Sequence, residues 1–393
     1  GIGFDINCGM RLCLTNLTYE EVKPQLEKLV ERLFERVPCG VGRKGFVEIS
    51  QREFPRLARE GSKWCVRNGY GTAHDLEMTE EGGCIEGADP AQITEKAIKR
   101  GFHQIGTLGS GNHYLEIQVA KPENVFDQEI ARAYGITIPD QVVIMFHCGS
   151  RGFGHQIATD YLEIFLKVMQ AKYQLKVYDK ELACAPFRSP EGQAYFAGMK
   201  CAVNMAFANR QVILHRIREV FSEVFQRSWQ DLGMRQVYDV AHNIAKLEKH
   251  KIDGKERTVL VHRKGSTRAF GPGMDGIPEV YKKVGQPVII GGSMETGSYL
   301  LAGMNGNEDA FSTTAHGSGR TMSRRQARKQ FRGDDLQRSM QERGVVVRSA
   351  SYAGLAEEAG QAYKDIDEVT EATELSGISK RVVRLIPIGN IKG

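Results

Sequence analysis

The chain contains no apolar run that approaches the length of a membrane span, and no secretory signal opens this sequence. It contains no Cys-x-x-Cys pair. Its eight cysteines are scattered, which argues against disulfide stapling and for a reducing cytoplasm. Charge of either sign is barely in excess: 53 Lys and Arg against 48 Asp and Glu leave +5. That balance permits nucleic-acid binding without requiring it. Pro/Ser-rich linkers, low-complexity tracts and repeats are also missing, so a single unit over residues 1–393 is the simplest organisation. No Walker A loop occurs, because no glycine loop ends in Gly-Lys-Ser/Thr. The run 106–111 also lacks the strand and helix context of a dinucleotide-binding fingerprint.

What remains has the make-up of a large globular protein, with 41% hydrophobic and 26% charged residues. Thr18 and Glu21 form a capping box, and Val22, Leu26, Leu29, Val30, Leu33 and Val37 then recur at helical spacing. A second long helix is predicted from Ser189-Pro190-Glu191 towards Phe225. Short β-branched runs at 142–146, 237–240, 259–261, 288–290, 345–347 and 382–386 read as buried strands. Helices and strands mix without a regular βαβ rhythm, so the fold class is α+β.

Histidines sit where apolar runs stop: His147 after 142–146, His242 after 237–241 and His262 after 259–261. His113 follows a glycine-rich stretch and opens the strand 113–119, and near the start Asp5 and Cys8 lie three residues apart. Strand ends beside glycine loops are where a rigid scaffold presents side chains to a ligand. Asp, Cys and several His form a mixed hard and soft donor set, able to hold one or two first-row divalent ions. Any one of these residues alone is better explained as core or as a satisfied partner at a strand end. Together they make a candidate metal centre.

Four glycine-rich segments offer backbone N–H groups to phosphate: 109–112, 149–155, 291–293 and 316–320. Tight turns explain most such loops taken singly. His316-Gly317-Ser318-Gly319-Arg320 is distinguished by the basic stretch that follows it. If that stretch is helical, Arg320, Arg324, Arg328 and Arg332 share one face, and stacked like charges predict a polyanion along them. The plainer alternative is a solvated basic helix.

Seven ordered segments, 3–9, 106–116, 147–155, 238–246, 262–270, 315–320 and 387–393, resemble the RtcB-type RNA ligases along essentially the whole chain. The resemblance implies an α+β fold with central sheets flanked by helices and the active site in a central cleft. It implies a cytoplasmic, GTP- and Mn²⁺-dependent ligase joining RNA 3′-phosphate or 2′,3′-cyclic phosphate ends to 5′-hydroxyl ends, with an archease-type protein as a possible activator. Carried over by motif, Asp5, Cys8, His113, His147 and His242 are the expected ligands of two manganese ions. Cys8 bridges them, with Asp5 and His113 on one ion and His147 and His242 on the other. His316 is the expected site of guanylation. Asn112, Glu116, Asn243, Ser293, Tyr363 and Lys392 form the expected GMP pocket, and Arg151, Arg320 and Arg324 the expected phosphate or RNA anchors.

The chain departs from the family pattern in three places. A segment with a Pro-Asp-Val-His type motif, usual ahead of position 1, is not in this sequence, which therefore reads as a fragment or a processed chain. Glu295 stands where the family commonly has Gly; its carboxylate either weakens binding of an anionic ligand or, the favoured expectation, points to solvent. Gly271 stands where Pro is commoner. Two rival functions use parts of the same set. A dinuclear phosphoesterase acting on RNA ends needs the metal cluster but not His316 or Lys392, and a non-catalytic RNA-binding protein needs neither.

Overall fold

The β-branched runs become strands in the computed structural model, which describes residues 2–393. In chain order the strands are β1 (Gly9–Thr18), β2 (Tyr114–Val125), β3 (Gln141–Cys148), β4 (Gln236–Ala241), β5 (Asn243–Ile252), β6 (Lys255–Lys264), β7 (Ser266–Arg268), β8 (Pro287–Gly291), β9 (Ser298–Gly303), β10 (Thr313–Ala315), β11 (Val346–Ser349) and β12 (Ser379–Lys392). One sheet runs in the order β4-β1-β3-β2-β12-β9-β8, antiparallel along that path, with β11 added in parallel beside β12. Its end strands, β4 and β8, come back into contact, so the sheet is curled nearly closed. A long hairpin, β5–β6, and a short pair, β7–β10, complete an α+β fold.

Alternation along the strands sorts two cores. Met10, Leu12, Leu14, Val143, Met145, Ile289, Leu300 and Leu385 fill the inside of the curled sheet. Leu115, Ile117, Val119, Val142, Ile144 and Phe146 point outward against Leu29 and Leu33 of the helix Leu26–Arg36 and Ile213 and Ile217 of the helix Pro190–Phe225. Each such side chain contributes roughly 1.5–3 kcal/mol on burial. Register therefore carries function as well as stability. A one-residue slip in β3 would put Phe146 where His147 now stands.

The helix Pro190–Phe225 starts as its sequence predicts: Ser189 Oγ accepts from Gly192 N at 3.1 Å, and Pro190 occupies the first turn, where its missing N–H costs nothing. It is buried on several faces because a third core, including Phe54, Phe153, Ile157, Phe207 and Val212, lies on its other side. The first predicted helix is instead broken, into Tyr19–Val22, a 3-10 turn Lys23–Gln25 and Leu26–Arg36, at the point where Pro24 removes a backbone donor. No helix among the described residues is long and apolar enough to cross a membrane.

Two expectations about glycine-rich and basic segments are corrected. Residues 149–155 are not a free loop, since the helix Arg151–Lys172 begins within them. The arginines from 320 to 332 do not form one helical face. Ser323 caps a fresh helix through a box with Gln326, so only Arg324–Gln330 is helical. Arg320 precedes that cap, and Arg332 is already the N-cap of the next helix, Gly333–Glu342.

Candidate functional site

Four neighbouring strands deliver one side chain each to the same end of the sheet. Cys8 immediately precedes β1, His147 is the penultimate residue of β3, His242 follows β4 and His113 precedes β2. The registers Gly9↔Cys148, Gly9↔Ala241 and Tyr114↔His147 place these ends level with one another. Asp5 joins from the turn ahead of β1. Two overlapping groups able to hold a cation result: Cys8, His147 and His242, and Asp5, Cys8 and His113. Cys8 belongs to both.

Cys8 Sγ lies 3.0 Å from His147 Nε2 and 3.4 Å from His113 Nε2, while His147 Nε2 faces His242 Nε2 at 2.9 Å. His147 Nδ1 donates to the carbonyl of Asn112 at 2.8 Å, which leaves Nε2 bare and aimed into the cluster. Arg151 can only donate, so its 3.1 Å bond to His113 Nδ1 places the ring proton on Nε2, shared with Asp5 Oδ2 at 2.8 Å. A cation at Nε2 competes for that proton's place. Burial, reinforced by the neighbouring imidazoles, holds His147 and His242 well below the ordinary histidine range, so both rings are neutral donors. Burial pushes the Cys8 thiol well up, and Asp5 adds to the shift, so keeping it a thiolate takes a cation. Burial raises the Asp5 carboxyl too, but the hydrogen bond from His113 and the nearby Arg151 guanidinium outweigh it and keep Asp5 ionised. Asp5 Oδ1 and His242 Nδ1 are buried without a hydrogen-bond partner. The donor set fits divalent cations: imidazole nitrogens, a carboxylate with one unpaired buried oxygen and a thiol converge within 4.8 Å of one another in each group.

His316 stands beside this cluster, its ring centroid 4.8 Å from that of His242. It is carried by β10, which pairs with β7, and is set against the end of β8 by the Gly291↔Gly317 bridge. Burial lowers its pKa against a hydrogen bond from the ring to the backbone of Gly265, which leaves a neutral imidazole. Beyond it a cavity of about 260 Å³ is lined by His147, His316, Asn112, Tyr114, Glu116, Ser293, Arg320, Arg324, Glu358, Tyr363 and Lys392. Tyr114 and Glu116 alternate inward on β2, and Lys392 comes from the facing strand, paired with Tyr114. A side chain at Gly291 would meet the Tyr114 hydroxyl at 2.6 Å, so only glycine lets β8 come this close.

The structure thus brings His316 together with Asn112, Glu116, Ser293, Tyr363, Lys392, Arg320 and Arg324. It does not bring Asn243 or Arg151 to the cavity lining. Asn243 instead holds the turn that carries Asp5, accepting from Gly3 N at 2.6 Å and donating to Asp5 O at 2.5 Å. Arg151, at a left-handed φ of 52°, backs His113 and Thr107, in space that a side chain at Gly109 would occupy. His262 lies elsewhere, in a larger cavity of about 440 Å³ with a mainly apolar lining that includes Tyr161, Phe165, Tyr195 and Phe196. That cavity gathers no comparable donor set.

Sequence reasoning missed Glu358. Its buried carboxylate is 3.2 Å from Arg320 Nη1 and 3.3 Å from Lys392 Nζ, and it accepts the Tyr363 hydroxyl. Glu357 pairs with Arg324 at 3.6 Å and Arg328 at 3.3 Å. The basic run is therefore matched by carboxylates and needs no polyanion to relieve it. Nothing in the sequence spacing marked Glu358; Tyr114 was missed as well, although it shares the parity of Asn112 and Glu116, a signal that could have found it. Glu295 does not point to solvent. It accepts from Gly360 N at 2.6 Å and from Arg343 at 2.7 Å, clamping the turn of Ser293 to the segment of Tyr363.

A half-buried carboxylate, a buried thiol and three buried imidazoles, opening through a neutral histidine onto a cation-lined cavity, equip a protein to bind divalent cations and phosphate-bearing ligands. The chain belongs to the RtcB family, whose profile, described as tRNA-splicing ligase RtcB, matches residues 1–393. It is 51% identical over 394 residues to the tRNA-splicing ligase RtcB of Archaeoglobus fulgidus, covering 100% of this chain and 81% of that protein. The same identity and coverage hold for the tRNA-splicing ligase RtcB of Thermococcus kodakarensis. The Pyrobaculum aerophilum protein of that name is 49% identical over 399 residues, again covering 100% of this chain and 81% of its own length.

Proposed function

We propose that the chain is an RNA ligase of the cytoplasm that uses GTP and Mn²⁺ to join 3′-phosphate or 2′,3′-cyclic phosphate ends to 5′-hydroxyl ends through guanylated His316. The observation that carries this reading is the position of His316, between the donor cluster and the cavity. A neutral imidazole there can attack the α-phosphorus of GTP. The N–P bond forms as the bond to the β-phosphate oxygen breaks, and pyrophosphate leaves. An oxygen of the RNA 3′-phosphate then takes the GMP group, breaking the N–P bond and leaving an RNA end capped by a diphosphate to guanosine. A cyclic end is first opened by water to the 3′-phosphate. Attack of the 5′-hydroxyl on the 3′-phosphorus forms the phosphodiester and expels GMP.

Asp5, Cys8, His113, His147 and His242 would hold the cations, two of them if Cys8 bridges. When bound, they neutralise phosphate charge and align the displacement. Glu116, buried at the cavity floor, offers carboxylate oxygens to the N–H groups of guanine. Of the other lining residues, Asn112, Ser293, Tyr363 and Lys392 would bind the nucleoside, and Arg320 and Arg324 its phosphate oxygens.

Incubation of the chain with GTP, Mn²⁺ and RNA bearing 3′-phosphate and 5′-hydroxyl ends should give joined RNA and released GMP. Removal of the terminal phosphate without joining, independent of GTP, would favour the phosphoesterase reading instead.

A further inference from the structure

Arg210, midway along the helix Pro190–Phe225, is fully buried, and no sequence motif singles it out. A guanidinium has five N–H donors, and here all five are used. Nε and Nη2 each donate to Asp239 at 2.8 Å, Nη1 donates to the carbonyls of Asn7 at 2.8 Å and Cys148 at 2.9 Å, and Nη2 also reaches Asn7 Oδ1 at 3.0 Å. Each acceptor sits on a segment that carries a donor of the cluster. Asn7 lies between Asp5 and Cys8, Cys148 follows His147, and Asp239 is three residues ahead of His242. Asn7 itself is held at a left-handed φ of 52°, its Nδ2 donating to Val203 of the same helix at 2.8 Å. A side chain at Gly9 would lie 2.6 Å from Val240 O and 3.0 Å from Arg210, so the strand approaches this fork only as glycine.

We propose that Arg210 is a positioning residue of the metal centre, one rigid planar fork that fixes three ligand-bearing segments relative to one another. The inference rests on the metal-binding reading of the cluster. Lysine could keep the charge but not the five fixed directions. Arg11 supplies the comparison. It is as deeply buried and also bonds Asp239, at 2.7 Å, but its other bond, at 2.6 Å, goes to Gln211, and it reaches neither Asn7 nor Cys148.

The test uses the full chain, with Arg210→Lys and Arg11→Lys compared by Mn²⁺ titration, by Co²⁺ absorption and by unfolding. Both variants should lose stability. Arg210→Lys should weaken Mn²⁺ binding by roughly 10–100-fold and diminish the thiolate-to-cobalt charge-transfer band, while Arg11→Lys keeps both. A folded Arg210→Lys with unchanged affinity and spectrum overturns the proposal, as does an equal loss in Arg11→Lys. Should Arg210→Lys not fold, Asn7→Gly carries the test, because it keeps the left-handed turn and removes one acceptor of the fork. A several-fold loss of Mn²⁺ affinity is then expected, and no loss overturns the proposal. A wild-type chain that binds neither ion overturns the metal reading itself, and the inference with it.

Discussion

Guanine binding should weaken as pH falls through neutrality, because Glu116 titrates there. Burial pushes its carboxyl up to about 7, against hydrogen bonds from Gln118 and Asn390 and the charge of Lys392. Those two amides donate at 2.6 Å, one to each carboxylate oxygen, which leaves further lone pairs for a ligand in the cavity. Guanine presents N–H donors, so it selects the ionised carboxylate, and binding below about pH 7 must release a proton. With that pKa, roughly nine-tenths of the carboxyl is ionised one unit above and one-tenth one unit below, so affinity should fall about tenfold over those two units. Calorimetric titration with guanosine, which has no phosphate to titrate in this range, isolates the effect. Glu116→Gln should bind weakly and without the pH slope. A flat wild-type profile, or a slope that survives in Glu116→Gln, would refute the assignment of Glu116 to the base.

Cys8→Ala should lose bound manganese and ligation together, since Cys8 belongs to both donor groups, and metal content after dialysis tests this. Retained manganese would remove Cys8 from the centre. Glu358→Ala should lower the unfolding free energy by roughly 3 kcal/mol in a denaturant melt, the lower end for a broken buried pair because Arg320 keeps some solvent while Lys392 does not. An unchanged melt would mean that Lys392 finds another partner. RNA affinity should fall with salt, and Arg324→Ala should reduce the slope of log K against log salt by about one, the share of a single phosphate contact. A slope equal to that of the wild type would move the RNA path away from Arg324.

The convergence of the Cys and His side chains was legible because strands are regular. Apolar runs that stop at His147 and His242 become neighbours once β3, β1 and β4 pair with their ends level. Serine and proline signals, Ser189 and Pro190, likewise placed the start of the helix Pro190–Phe225 at its capping residue. The failures have equally local causes. A four-residue spacing of arginines predicts one face only if the helix is continuous, and the Ser323 capping box restarts it. Glu295 looked solvent-bound because its partner, the Gly360 amide, is 65 residues away along the chain. Arg210 and Glu358 were invisible for the same reason: their roles are set by groups brought together from distant segments, and neither leaves a periodic or motif signature.

Incubation with α-labelled GTP and Mn²⁺, followed by denaturing separation, tests the central claim most directly. Acid-labile label should stay with the wild-type protein and be absent from His316→Ala, with the label mapped to the peptide carrying residue 316. Label that persists in a folded His316→Ala, or a folded, manganese-loaded wild type that takes up none, would contradict guanylation at His316.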